Sequence, residues 1–139
     1  MAVTNTVEEF IAHGLQLGEV LAQVKAEYGW SDEEVAAAER RYRDFLYVCY
    51  RAINDAPHRF GEVSWTADQV WHEHMESAAY EQDCAKIFGP DHTLSHQAFH
   101  GNEVAAARAT AHMAYQQAGR EYPADDQRAE CVWSIVSSI

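Results

Sequence analysis

Residues 31–53, SDEEVAAAERRYRDFLYVCYRAI, carry the clearest periodicity in the chain and set the expected fold class. Val35, Ala38, Tyr42, Phe45, Leu46, Cys49, Tyr50 and Ile53 recur at steps of three and four, the spacing of one apolar helical face. Ser31-Asp32-Glu33-Glu34 opens the run as a capping box, with Ser31 as N-cap and Glu34 reaching back to it. The helix should stop before Asn54-Asp55-Ala56-Pro57.

Working outward, the same period appears on both sides. Val7, Phe10, Ile11, Leu15, Leu17, Val20, Leu21 and Val24 predict one amphipathic helix, loosened by Gly14 and Gly18 and ended by Gly29. Residues 55–65 read as a turn-rich connection. Thr66-Ala67-Asp68-Gln69 reads as a second capping box, opening a helix through Val70 and Trp71. Gly89-Pro90 is a stop, after which Asp91 caps a short helix from His92 to His100, closed by Gly101. Asn102 caps an alanine-rich helix over 103–118, ended by Gly119. Pro123 opens a last amphipathic helix through Ala129, Val132, Trp133 and Val136. No sustained apolar alternation or hairpin dipeptide signals a strand. The expectation is one all-α domain spanning residues 1–139, an irregular bundle of five to six helices.

Composition narrows the function. A chain of 139 residues with 47% hydrophobic residues can bury a core without staples. Twenty-two acidic against ten basic residues give a net charge of −12, which repels phosphate backbones and argues against nucleic-acid binding. The charge is uneven. Arg40, Arg41, Arg43, Arg51 and Arg59 cluster, whereas Glu62 to Ala107 holds Lys86 as its single Lys or Arg and draws cations. No apolar run spans a bilayer and the N-terminus has no leader-like pattern, so a cytoplasmic protein without membrane association is expected. Homo-oligomerisation stays open. Cys49, Cys84 and Cys131 form no CxxC pair and read as buried thiols, with Cys84 of interest for its place among histidines.

Five of the eight histidines lie between Trp71 and His100, among Glu73, Glu76, Glu81 and Asp83. Imidazole and carboxylate together are the ligands of zinc, iron, nickel and copper. On an unbroken helix His72 and His74 point roughly 200° apart, so they cannot share an ion. His72 would then pair with Glu76 one turn on, His74 would face the core, and Asp83 would lie about 16 Å away. A break near Ser77 would instead let the imidazoles converge. On a helix, His92, His96 and His100 would form one stripe with neighbours able to chelate, His96 being the central candidate. His13, His58 and His112 are scattered singly and read as structural or surface residues. HExxH, GxSxG, P-loop and GxGxxG motifs are absent.

From about Glu27 to His96 the chain resembles the glycine-rich domain-containing protein-like family. The resemblance runs through Tyr28-Gly29-Trp30-Ser31, Arg41-Tyr42-Arg43-Asp44-Phe45-Leu46, Ala67-Asp68-Gln69-Val70-Trp71-His72-Glu73-His74-Met75, Tyr80-Glu81-Gln82-Asp83-Cys84 and Phe88-Gly89. The family pattern, WHxH[MI] followed by Tyr, Asp-Cys, Phe-Gly and a histidine, implies a chain break after the motif. It also implies a site of His72, His74, Asp83 and His96. Leu94-Ser95-His96 stands where the family has an adjacent histidine pair. No reaction transfers with the resemblance.

These readings predict a metal-dependent enzyme acting on an organic small molecule by hydrolysis, dehydration or cyclisation. The ligands would be His72, His74 and His96, with His92 or Glu76 auxiliary. Glu73 or Asp83 would act as base or orienter, and Trp71 and Tyr80 would contact substrate. Zinc is the first choice of divalent metal, iron or copper the alternatives. The competing expectation is a non-catalytic protein- or peptide-binding helical module with structural histidines.

Overall fold

The computed structural model describes residues 6–55, 61–90, 92–98, 103–126 and 128–137, without the side chains of 53–55, 97–98, 103–105, 128–131 and 135–137. Six α-helices and three strands follow in order among these residues. They are α1 (Thr6–Glu9), α2 (Gly18–Tyr28), α3 (Asp32–Asp55), β1 (Gly61–Ser64), α4 (Trp65–Glu76), α5 (Tyr80–Phe88), β2 (His92–Ala98), α6 (Glu103–Ala118) and β3 (Arg128–Ser137). The chain is mainly helical, but a three-stranded antiparallel sheet of order β1-β3-β2 corrects the all-α expectation.

The central helix α3 follows its sequence pattern. The capping box forms reciprocally: Ser31 N–H donates to Glu34 Oε1 (2.9 Å) and Glu34 N–H donates to Ser31 Oγ (3.2 Å). Ala38, Tyr42, Phe45, Leu46, Val48 and Cys49 are buried in the core. The expected single helix before it is divided. α1 runs into a π-helical turn, Phe10–Gly14, and the chain leaves helical geometry at Leu15–Leu17 before α2. The break lets Leu15 and Leu17 both reach the core. Arg43 of α3 donates to the carbonyls of Ile11 (2.7 Å) and Leu15 (3.0 Å), satisfying acceptors at the helix end. Gly29 closes α2 at φ 67°, a left-handed conformation that glycine adopts without strain.

Two expected helices are strands. Residues 92–98 form β2 and 128–137 form β3, paired from His92↔Ser137 to Ala98↔Cys131. In the central strand β3, Val132, Trp133 and Ser134 are all buried. A strand covered on both faces shows no alternation, so its apolar run resembles a buried helix. β1 lies within the expected connection, pairs with β3 through Gly61↔Trp133, and is buried along its length. Its Glu62 carboxylate accepts from Arg108 Nε of α6 at 3.1 Å. The alanine-rich helix α6 has the expected bounds and packs against α3 and β1 with Ala107, Ala111, Ala114, Tyr115 and Ala118 buried. Its expected cap Asn102 lies outside the described residues, as do His58, His100 and Gly101.

The loop before β3 pins the frame. Arg41 pairs with Asp125 (2.9 Å) and Asp126 (3.1 Å), and Asp126 also accepts the Thr66 N–H (3.0 Å) in the first turn of α4. α4 itself begins one residue before the expected capping box, with Ser64 Oγ accepting the Ala67 N–H. No helix among the described residues is long and apolar enough to cross a membrane.

Candidate metal centre

Asp68 and His72 stand one turn apart on α4, so their side chains share a face. β2, which packs against α5 and β3, brings the His96 side chain to that face. The three groups converge: His72 Nε2 lies 3.0 Å from His96 Nε2, His96 Nε2 lies 3.1 Å from Asp68 Oδ1, and His72 Nε2 lies 3.3 Å from Asp68 Oδ2. This is the cluster of metal-ligating type found among the described residues.

Hydrogen bonding alone serves this triangle poorly. A ring nitrogen has one proton or one lone pair in the ring plane, yet His96 Nε2 faces both an imidazole nitrogen and a carboxylate oxygen. One cation between the three would meet a lone pair from each. With metal–ligand bonds of about 2.1 Å, adjacent positions of an octahedron lie ~3.0 Å apart and those of a tetrahedron ~3.4 Å apart. The 3.0 Å between the two imidazole nitrogens falls in that interval, while the 3.1 and 3.3 Å separations run to the two different oxygens of Asp68, one facing each imidazole. Burial is graded across the site, with side-chain exposures of 9% for Asp68, 25% for His96 and 49% for His72. The cluster therefore opens to solvent past His72.

His74 takes a different place. The helix breaks at Ser77, whose hydroxyl donates to the His74 carbonyl (2.8 Å), and the chain turns through Ala78 and Ala79 into α5. The break brings Asp83 beside His74, which a continuous helix would have kept apart. His74 is 2% exposed, with Nε2 2.8 Å from Asp83 Oδ2 and Nδ1 2.5 Å from the Tyr42 hydroxyl. The carboxylate only accepts, so Nε2–H donates to Asp83 while Nδ1 accepts from Tyr42. Burial holds the imidazole pKa below its usual value, against the raising influence of Asp83, so the ring is neutral. Both nitrogens are engaged in tying α3, α4 and α5 together, and His74 and Asp83 stand outside the triad.

The remaining expected residues are dispersed. Trp71 is fully buried, with its ring 5.0 Å from that of His96. Tyr80 is buried, accepts from Trp71 Nε1 (2.8 Å) and donates to the Leu94 carbonyl (2.6 Å). Glu76 is exposed at the end of α4 and takes no part in the cluster. His92 turns its Nδ1 to the Pro90 carbonyl (3.0 Å). Four residues of strand separate it from His96 by roughly 13 Å, too far to share an ion. Glu73 is half-buried, and its carboxyl pKa is raised by desolvation first, then by its contact with Glu27 and the charge of Glu76. Burial also raises the Cys84 thiol, which keeps it protonated and a poor nucleophile.

Asp68 was not among the expected ligands. Its signal was present: Asp68-x3-His72 has the same spacing as His72-x3-Glu76, but Asp68 also fitted a capping box. One turn before it, Trp65 packs with Tyr28 and Trp30 at centroid distances of 5.5 and 6.1 Å, an aromatic corner that the helical pattern did not mark. The Tyr28 hydroxyl donates to Gln69 Oε1 at 2.5 Å, fixing α2 against α4.

Comparison with protein-family models, curated proteins and solved structures finds no match to this chain.

Proposed function

We propose that Asp68, His72 and His96 bind one divalent transition metal and that the protein is a metal-dependent enzyme acting on an organic small molecule. The observation that carries this reading is the convergence of two imidazole nitrogens and one carboxylate within 3.0–3.3 Å on a partly exposed face. A purely structural zinc site normally closes with four protein ligands, whereas three ligands with an open side are the pattern of catalytic sites. His74 does not serve as a fourth ligand, because both its nitrogens are committed to Tyr42 and Asp83. Two histidines and one carboxylate suit zinc and also non-haem iron.

Bound there, the metal would polarise a carbonyl or lower the pKa of bound water, serving hydrolysis, dehydration or cyclisation. Glu73, next to His72 in sequence and with its carboxyl pKa raised by partial burial and its acidic neighbours, is the proton-transfer group of this reading. The resemblance to the glycine-rich domain-containing protein-like family belongs to the same proposal, since His72 and His96 are two of the positions it implies.

The test is elemental analysis of tag-free protein alongside Asp68→Ala, His72→Ala and His96→Ala. Close to one zinc, iron or copper per chain, lost in each variant, is the expected result. Protein that contains no metal and takes none up on reconstitution refutes the reading. A turnover screen of esters, amides and hydroxy acids with loaded protein should give activity that disappears in Asp68→Ala.

A further inference from the structure

The geometry points to Tyr80 as the positioning residue of the metal triad: its hydroxyl links α4, which carries Asp68 and His72, to β2, which carries His96. The inference rests on the metal-binding reading of that triad. Ligands on two separate elements keep their geometry only if those elements are held in register, within about half an ångström. Asp68 and His72 are fixed relative to each other by one helix, but His96 comes from a strand on the far side of α5 in sequence.

One relay spans the gap. Trp71, the neighbour of His72, donates Nε1–H to the Tyr80 hydroxyl at 2.8 Å. That hydroxyl donates in turn to the carbonyl of Leu94 at 2.6 Å, two residues before His96 on the same face of β2. The relay is dry: Trp71 is 0%, Leu94 1% and Tyr80 6% exposed. The Trp71 ring then rests 5.0 Å from the His96 ring, so the residue that starts the relay also backs the imidazole. The Tyr80 hydroxyl bonds to Trp71 and Leu94 and is not one of the three ligating groups. It acts through Trp71 and the backbone of β2. Burial raises its hydroxyl pKa, which keeps the proton it donates to Leu94 in place.

The experiment titrates wild type, Tyr80→Phe and Tyr42→Phe with Co²⁺, reading the dissociation constant and the visible ligand-field spectrum. Tyr42→Phe is the control, because it removes an equally buried phenol hydroxyl from the His74 network rather than from the relay. Tyr80→Phe should bind one Co²⁺ per chain about tenfold more weakly, the lower end for loss of a supporting partner, with a shifted spectrum. Tyr42→Phe should lose stability yet keep the wild-type constant and spectrum. Should Tyr80→Phe fail to fold, Trp71→Phe, which keeps a ring beside His96 but lacks the donor, should show the same change. A Tyr80→Phe protein with wild-type constant and spectrum overturns the positioning role alone, as does equal weakening in Tyr42→Phe. Wild-type protein that binds no Co²⁺ overturns the metal reading itself.

Discussion

His72 and His74 are separated by one residue, and substituting each should give opposite phenotypes. The perturbation that tests this is His74→Leu, which keeps a similar volume and removes both ring nitrogens. Tyr42, fully buried, loses its acceptor, and Asp83, with an 11% exposed side chain, loses its donor. A neutral hydrogen bond contributes about 1 kcal/mol and one to a charged group about 1.5–3 kcal/mol. Apolar burial of the leucine offsets part of the sum, leaving a destabilisation of about 3 kcal/mol. That is a large fraction of the ~5–15 kcal/mol typical of a domain and corresponds to a Tm lowered by roughly 10 °C. His72→Ala alters a side chain that is 49% exposed, so its effect on stability should stay within about 0.5 kcal/mol. Urea denaturation of metal-free protein measures the stabilities, and elemental analysis after reconstitution measures the metal. His74→Leu should retain metal at lower stability, and His72→Ala should lose metal at unchanged stability. A His74→Leu protein as stable as wild type but unable to bind metal would refute the assignment of the two histidines.

Alkaline pH should weaken the fold. Burial raises the Cys49 thiol and the Tyr42 hydroxyl well above their ordinary pKa values, so the unfolded chain releases these protons first. Their contribution to stability is therefore complete below about pH 9 and declines as pH rises beyond it, so urea midpoints should fall between pH 8 and pH 10.5. A flat profile would contradict their burial. Gly61→Ala should destabilise by at least about 1–3 kcal/mol, because an added Cβ would stand 2.0 Å from Trp133 Nε1 between β1 and β3. Thermal melts read the loss, and a melting temperature within a degree of wild type would show that the strands are not so closely paired.

The helix α3, its capping box, the Gly29 stop and the bounds of α6 were legible because each is encoded locally. A one-sided apolar stripe, a reciprocal cap and a left-handed glycine need no knowledge of distant residues. The supply of side chains of metal-ligating type was legible for a similar reason, as histidines and carboxylates are concentrated between Trp71 and His100. Tertiary structure decided the rest. Whether His92–Ala98 and Arg128–Ser137 coil or extend depends on whether each finds the other, and their pairing is a contact between residues about forty apart in sequence. The placing of β2 beside α5 and β3 brought His96, and not His92, to Asp68 and His72, and left Glu76 outside that cluster. The turn at Ser77 sent His74 and Asp83 into the core together, making a structural pair from residues that resemble ligands. Residue type sets which chemistry a side chain can perform. Which of several equivalent side chains meet at one point is set by packing between elements, and no local period records it.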